Sequence, residues 1–341
     1  MDLVARVPKQ RANSFVQQLL SERILDKKRK IYRDNLAVYF PVTRKSGFFG
    51  AYSAEIVKKS LRKRKSKKSF SEFLCGLTKK RNMENIRRSY EIVGNIIILE
   101  LGKGLLKHGK KIARYLLQNN VHIKTVVRKS GGHKGKLRLQ KYVFVAGDEN
   151  YKTIHVENGI KLLVDIRKTY FSPRSAGERL RIAKLVKPGE RVLVMFSGIA
   201  PYPLVISKHS GAKEIIGIEI NKEAHKFAIN NIELNKRKNI KLFCGDVMKI
   251  LPKIKGCFHR IIMPLPKQGE SYLAIALRKV VRNGCVHFYD FAKDSELLIS
   301  TKRKIVNAAK LEGKKVIIRK IIKSGQQSPH IFRVCADIRV I

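Results

Sequence analysis

The sequence predicts an α/β fold class for the C-terminal half of the chain, a mostly parallel sheet with helices on both faces, behind two smaller α+β segments. Three observations lead there. From about residue 166 onward, short apolar runs alternate with helical patterns. Four successive strand patterns close on residues with ligand chemistry. The chain ends on two long strand patterns, KKVIIRKIIK and IFRVCADIRVI, whose short connection calls for an antiparallel edge.

Residues 1–57 read as a small domain. SFVQQLLSERIL (Ser14–Leu25) spaces its apolar residues as a helix does, and LAVYFPV (Leu36–Val42) reads as a strand stopped at Pro41. VKKSLRKRKSKKS (Val57–Ser69) then places eight basic residues in thirteen. Such a block repels itself and reads as a solvated linker over 58–69, a plain tether or one that touches phosphates.

Residues 70–165 read as a second α+β domain with an antiparallel sheet. SYEIVGNIIILEL breaks at Gly94-Asn95, a turn between two apolar runs, and helical GLLKHGKKIARYLLQN follows. VHIKTVVR, LRLQKYVFVAG and TIHVENGIKLLVDI are strand-like. Arg138 opens one of them, and Asn158-Gly159 marks a hairpin. The third segment, 166–341, has strands at RVLVMF, EIIGIEI, IKLFCG, HRIIMPL and CVHFYDF. Its clearest helices span Asn221–Lys236 and Asp294–Glu312.

The charge narrows the partners. Among 341 residues, 74 Lys and Arg face 26 Asp and Glu, a net charge of +48. Hydrophobic content of 44% is ordinary, so the excess marks a polyanion-binding surface, with nucleic acid the leading partner, rather than disorder. No apolar run approaches the ~20 residues that span a bilayer, and the N-terminus lacks a signal-peptide core. The five cysteines form no CxxC pair, so neither a disulfide framework nor a metal site is expected. A reduced, cytoplasmic protein is expected.

Ligands of parallel α/β sheets bind at the carboxyl ends of the strands. The first strand ends in Phe196-Ser197-Gly198-Ile199-Ala200-Pro201, the second in Glu219, the third in Asp246, and the fourth in Pro264-Leu265-Pro266. Glu219 lies 21 residues after Gly198, the distance at which an acid meets ribose hydroxyls. Asp246 suits an adenine amino edge, or a helix cap. A pyrophosphate wants a glycine-rich turn with free N–H groups, whereas this turn has one glycine and then a proline. A cofactor with ribose and adenine but no phosphate fits better, and S-adenosylmethionine (AdoMet) is such a molecule.

The segment Thr153–Pro203 carries HVENG, YFSPRSAGER and VMFSGIAPYP. It resembles the archaeal and eukaryotic tRNA (guanine-N1)-methyltransferases that modify guanosine 37, 3′ of the anticodon. VPKQRANSFVQQLLSERILDKKRKIYRDNLAVYFPV looks like that family's small N-terminal domain, and SYEIVGNIIILEL like the start of its middle domain. The resemblance implies a class I methyltransferase-like (Rossmann-like) catalytic domain, AdoMet as cofactor and tRNA as partner, in a monomer with no DNA or membrane partner.

It also implies roles. Guanine N1 carries a proton, so methylation needs a base, and Glu178 matches the family's catalytic glutamate. Arg138 matches the arginine at guanine O6, and Tyr170 a tyrosine beside the flipped base. Pro266 matches the proline at the end of the fourth strand. Phe196, Gly198, Glu219, Asp246 and Pro264 fall at cofactor-binding positions, as does Arg174, matched to an arginine that takes the methionine carboxylate or an RNA phosphate. Three positions depart from the pattern: Val194 replaces an acid, Ala200 a glycine and Pro264 an asparagine. Alternatives are a bifunctional methyltransferase that also takes a tricyclic wyosine precursor, a tRNA aminocarboxypropyl transferase, and a non-catalytic RNA-binding protein.

Overall fold

The structure is a computed structural model that describes residues 1–63, 69–77, 88–135, 137–293, 297–328 and 330–341. Its contacts divide the chain into two units, Met1–Lys79 and Lys80–Ile341. In the first, β1 (Asp2–Pro8), β2 (Tyr32–Arg33), β3 (Ala37–Pro41) and β4 (Glu55–Lys59) form an antiparallel sheet in the order β2-β3-β1-β4. Helix α1 (Ala12–Ser21) buries Phe15 and Leu19 against that sheet, where Phe15 meets Phe40 and Phe49. The helix stops sooner than its apolar spacing suggested because Arg23 turns left-handed, with φ of 55°.

The basic block is not wholly a linker. Val57–Lys59 belong to β4 and pair with β1, Leu61 is buried, and Lys30 N–H donates to the Arg62 carbonyl. Ladder bonding outweighs charge repulsion here because on this edge strand Lys58 reaches solvent and Lys59 lies over the Tyr32 and Tyr39 rings. Residues 64–68 of the block lie outside the described residues. Ser69 and Glu72 then make a reciprocal capping box for α2 (Phe70–Cys75).

In the second unit, β5 (Arg88–Val93), β6 (Ile96–Leu101), β7 (Thr125–Lys134) and β8 (Leu139–Gly147) form a sheet in chain order. The expected turn at Gly94-Asn95 joins β5 to β6. Gly94 has φ of 55°, and a Cβ there would lie 2.1 Å from Thr153 Oγ1, so only glycine fits. The sheet is mixed, contrary to the antiparallel expectation: α3 (Gly109–Asn119) crosses over between β6 and β7 and brings them parallel. The hairpin β9 (Lys152–Glu157) and β10 (Ile160–Asp165) turns at Asn158-Gly159, both at positive φ.

This hairpin packs with the C-terminal segment of the chain. Asn231 accepts from Leu163 N–H and donates back to the Leu163 carbonyl, and Asn235 does the same for Lys161. The core joins Ile96, Ile98 and Val127 with Ile160, Leu162 and Val194, on both sides of residue 165.

Helix α4 (Ala176–Leu185) leads into alternating β11 (Arg191–Met195), α5 (Pro201–His209), β12 (Glu214–Glu219), α6 (Lys222–Leu234), β13 (Ile240–Cys244), α7 (Val247–Ile250), β14 (Phe258–Met263) and α8 (Leu273–Lys279). Then come β15 (Val280–Lys293), α9 (Leu297–Leu311), β16 (Val316–Ser328) and β17 (Ile331–Val340). The sheet order is β13-β12-β11-β14-β15-β17-β16. Pairing is parallel through β15, and β17 inserts antiparallel between β15 and β16. One apolar cluster lies on each face. No described helix is long and apolar enough to cross a membrane.

Candidate active site

The parallel strands turn their carboxyl ends to one rim, and the chain leaves a cavity of about 730 Å³ there. Its walls include Arg138, Tyr170, Phe196, Gly198, Glu219, Asp246 and Pro264. The reversal of strand order between β11 and β14 opens the crevice, as this topology requires.

The turn after β11 alternates its handedness. Phe196, Gly198 and Ala200 have φ of 59°, 57° and 66°, which brings the Phe196 ring edge-on to Tyr272 at 4.9 Å. Two of the three carry a Cβ, and each such residue costs on the order of 1 kcal/mol. The turn is held all the same, by Ser197 N–H donating to the Ile218 carbonyl and Gly198 N–H to Glu219 Oε2 at 2.7 Å.

Glu219 is the best-anchored acid at the rim. Its Oε1 accepts from Asn221 N–H at 2.8 Å. Burial pushes its carboxyl above the ordinary range, against the backbone N–H groups of Asn221, Gly198 and Ile220. Asn221 caps α6 and donates to the Lys168 carbonyl, which ties the loop bearing Tyr170 to the cavity floor. Asp246 caps α7, accepting from Met248 N–H at 3.0 Å, and still faces the cavity. The cap does not compete with a place on the wall, which is what an adenine contact needs.

Arg138 stands in the turn just before β8, at φ of 54°, and Nη2 donates to the Lys267 carbonyl at 3.0 Å. Burial lowers its pKa, while nearby Tyr170 acts in the opposite sense. The guanidinium thus reaches from the β7–β8 hairpin to the loop after β14.

Glu178, Arg174 and Pro266 are not on the cavity walls. Arg174 pairs with Glu91 at 3.0 Å, and Lys267 and Gln268 line the rim beyond Pro266. Glu178, in the first turn of α4, is buried. Its Oε2 accepts from Arg181 Nε at 2.7 Å, and its Oε1 from Arg181 Nη2 at 2.8 Å and from Tyr289 Oη at 2.5 Å. Tyr289 is two residues, about 7 Å of strand, before Phe291 on the same sheet face, and Phe291 is on the cavity wall. Glu178 is thus linked through Tyr289 to the strand that carries Phe291, without itself lining the cavity.

The polar chain continues from Glu178. Arg181 also binds Asp337, Asp337 accepts from His287 Nδ1 at 2.6 Å, and Arg260 donates to His287 Nε2. That fixes His287 as the neutral Nδ1–H tautomer, and burial lowers its pKa. His287, Cys335 and Asp337 cluster within metal-ligand reach of one another. Two guanidinium groups already occupy the lone pairs a cation would need.

Nearby, Arg179 grips Glu157 through Nε and Nη2 and donates to the Ser172 carbonyl. Burial works to raise the Glu157 carboxyl, but His155 and Arg179 outweigh it and hold it low. The HVENG and YFSPR stretches are thereby clamped together. Sequence reasoning missed Asn221, Tyr272, Tyr289 and Arg181. Asn221 was the most legible, as a helix cap just after an acidic strand end.

The cavity fits a cofactor with a ribose diol and no phosphate. Glu219 supplies an anchored acceptor, and Ile220, Val247 and Leu265 supply apolar wall. Pro201 and Pro203 open α5, so two N–H groups that a phosphate would use are missing. Fold and site together define a class I, AdoMet-dependent methyltransferase.

Comparison with known proteins agrees. Residues 153–317 match the TRM5/TYW2 methyltransferase domain, residues 70–150 the TYW2 N-terminal domain, and residues 6–47 the tRNA methyltransferase 5 N-terminal domain. The chain belongs to the TRM5/TYW2 methyltransferase family. It is 30% identical over 342 residues to tRNA (guanine(37)-N(1))-methyltransferase Trm5b of Pyrococcus abyssi, covering 100% of this chain and 99% of that protein. The crystal structure of that enzyme matches with a TM-score of 0.79 at 28% identity over 100% and 99% of the two chains. The complex of aTrm5 with tRNALeu matches at 0.74 and 28% identity over 99% and 100%. Trm5 of Methanocaldococcus jannaschii in complex with adenosine matches at 0.65 and 27% identity over 99% of each chain.

Replacing Glu219 by Ala is expected to weaken AdoMet binding by about 1–3 kcal/mol, the cost of unpaired buried hydroxyls. A protonated carboxyl keeps less acceptor capacity, so native affinity is expected to fall as pH drops through the raised Glu219 range. Calorimetry across pH checks both; a native-like affinity in the Ala variant removes Glu219 from the ribose role.

Proposed function

We propose that this protein is an AdoMet-dependent tRNA methyltransferase that methylates N1 of guanosine 37, with Glu178 as general base. The observation that carries the reading is the cavity at the strand ends, whose walls an anchored Glu219 shares with Arg138 and Tyr170. The full-length similarity to enzymes named for this reaction supports it.

AdoMet supplies a methyl group on a sulfonium that leaves as a neutral thioether. Phe196, Gly198, Glu219, Asp246 and Pro264 hold the cofactor against the strand ends. The target base leaves its stack to enter the cavity, beside Tyr170, with Arg138 at O6 to stabilise the negative charge that grows there as the proton departs. Glu178 would take the N1 proton as N1 is methylated and afterwards release it to solvent. Arg174 and Pro266 are outside the cavity walls, and the half-exposed Arg174 is assigned to an RNA phosphate. The net charge of +48 suits a tRNA substrate, and the reading includes a monomeric enzyme acting in the cytoplasm.

A second substrate is favoured by one feature. The fourth strand ends in Pro264-Leu265-Pro266, which offers no side-chain amide to grip a guanine edge. A relative of Nanoarchaeum equitans, 28% identical, is named for both guanosine 37 and 4-demethylwyosine 37. The test incubates protein and AdoMet with two tRNAs, one carrying guanosine and one the tricyclic base, and analyses the nucleosides by mass. 1-Methylguanosine is expected from the first. Its absence throughout a time course overturns the main reading, and methylation of the tricyclic base adds the second activity.

A further inference from the structure

Arg181 is the hub of the buried chain that holds Glu178. One edge of its guanidinium makes two bonds to Glu178, and Nη1 reaches Asp337 Oδ2 at 2.8 Å, with Nη2 at 3.3 Å from Oδ1. Burial works to lower its pKa, but Glu178 and Asp337 outweigh it and raise it. The anchor is rigid at its far end. Asp337 is on β17 directly opposite His287 of β15, and Cys335 is opposite Tyr289 in the same ladder. His287 is pinned in turn by Arg260 of β14. Three strands of the central sheet therefore fix where Arg181 can be, and Arg181 with Tyr289 fixes where the Glu178 carboxylate can be.

A flexible carboxylate at the start of a helix has several rotamers. A base set outside the cavity walls needs one of them, and a buried carboxylate needs a counter-charge. Arg181 meets both needs without lining the cavity. Tyr289 adds a third bond, and its hydroxyl accepts in turn from Tyr202 at 2.9 Å.

We infer that Arg181, anchored by Asp337, is a positioning residue that orients the Glu178 carboxylate for proton abstraction. The inference rests on the assignment of Glu178 as base, and the test keeps the two apart. Single-turnover methyl transfer is measured with native enzyme, Arg181→Met, Arg181→Lys, Glu178→Gln and the double variant Glu178→Gln/Arg181→Met, alongside AdoMet and tRNA affinities.

Arg181→Met is expected to slow the chemical step about 10–100-fold, the scale of a misplaced catalytic group. Affinities should stay within about twofold. Arg181→Lys should recover part of the loss, and in the Glu178→Gln background Arg181→Met should cost nothing further, since groups that act as a unit are non-additive. Equal losses in both backgrounds would make Arg181 structural and overturn the inference. A native rate in Arg181→Met with a slow Glu178→Gln overturns it too, while the base assignment survives. A native rate in Glu178→Gln removes the base assignment itself. Should Arg181→Met fail to fold, Tyr289→Phe removes only one hydroxyl from the same carboxylate. A loss of a few-fold is expected from Tyr289→Phe in otherwise native enzyme, and none when it is combined with Glu178→Gln; the same loss in both backgrounds counts against the inference.

Discussion

Glu178→Gln is expected to slow single-turnover methyl transfer by about 10²–10⁴-fold, the usual worth of a general base. The amide keeps the size of the side chain but cannot accept the N1 proton. AdoMet and tRNA affinities should barely change, because the proposed cofactor contacts, Glu219 and Asp246, are on the cavity walls and Glu178 is not. The substitution also weakens the pairing with Arg181, so melting temperature must be followed alongside the rate. If the folded variant methylates at the native rate, the base is elsewhere.

Arg260→Met is expected to destabilise the protein by about 3–5 kcal/mol, the cost of breaking a buried pair by removing one partner. Arg260 is 4% exposed and on the central strand β14. Its Nε and Nη2 bind Glu190 at 2.7 and 2.9 Å, Nη2 also donates to the Leu185 carbonyl at 2.6 Å, and Nη1 meets His287. Methionine leaves a carboxylate, a carbonyl and an imidazole nitrogen without that donor. The urea midpoint should fall with little change in m. Arg260→Met/Glu190→Met should recover part of the loss, because the uncompensated charge goes with Glu190. A shift below about 1 kcal/mol in the single variant would mean that relaxation or water replaces the guanidinium.

The sequence by itself determined the alternation of β11 to β15 with helices, the antiparallel end, and the turns at Gly94-Asn95 and Asn158-Gly159. These are written in local signals: apolar period, left-handed turn residues, and short connections. The same logic put Gly198, Glu219, Asp246 and Pro264 at one rim, because residues that end parallel strands must share it. It also read a phosphate-free cofactor from the proline that opens α5. Glu178, Arg174 and Arg138 were legible only through resemblance, since an arginine or glutamate in a chain this charged carries no local signal of its own.

Tertiary structure decided the rest. The parallel pairing of β6 with β7 depends on where α3 crosses, and the place of β9–β10 depends on Asn231 and Asn235, 68 and 74 residues away along the chain. Whether Val57–Lys59 lie free or in a strand depends on β1, at the other end of the unit. The chain from Glu190 through Arg260, His287, Asp337 and Arg181 to Glu178 joins distant segments, and no spacing along the sequence announces it. Charges in that chain are tolerated in the core only because each meets an opposite charge or a hydrogen-bond partner across the fold, and such complementarity exists only once the strands have paired.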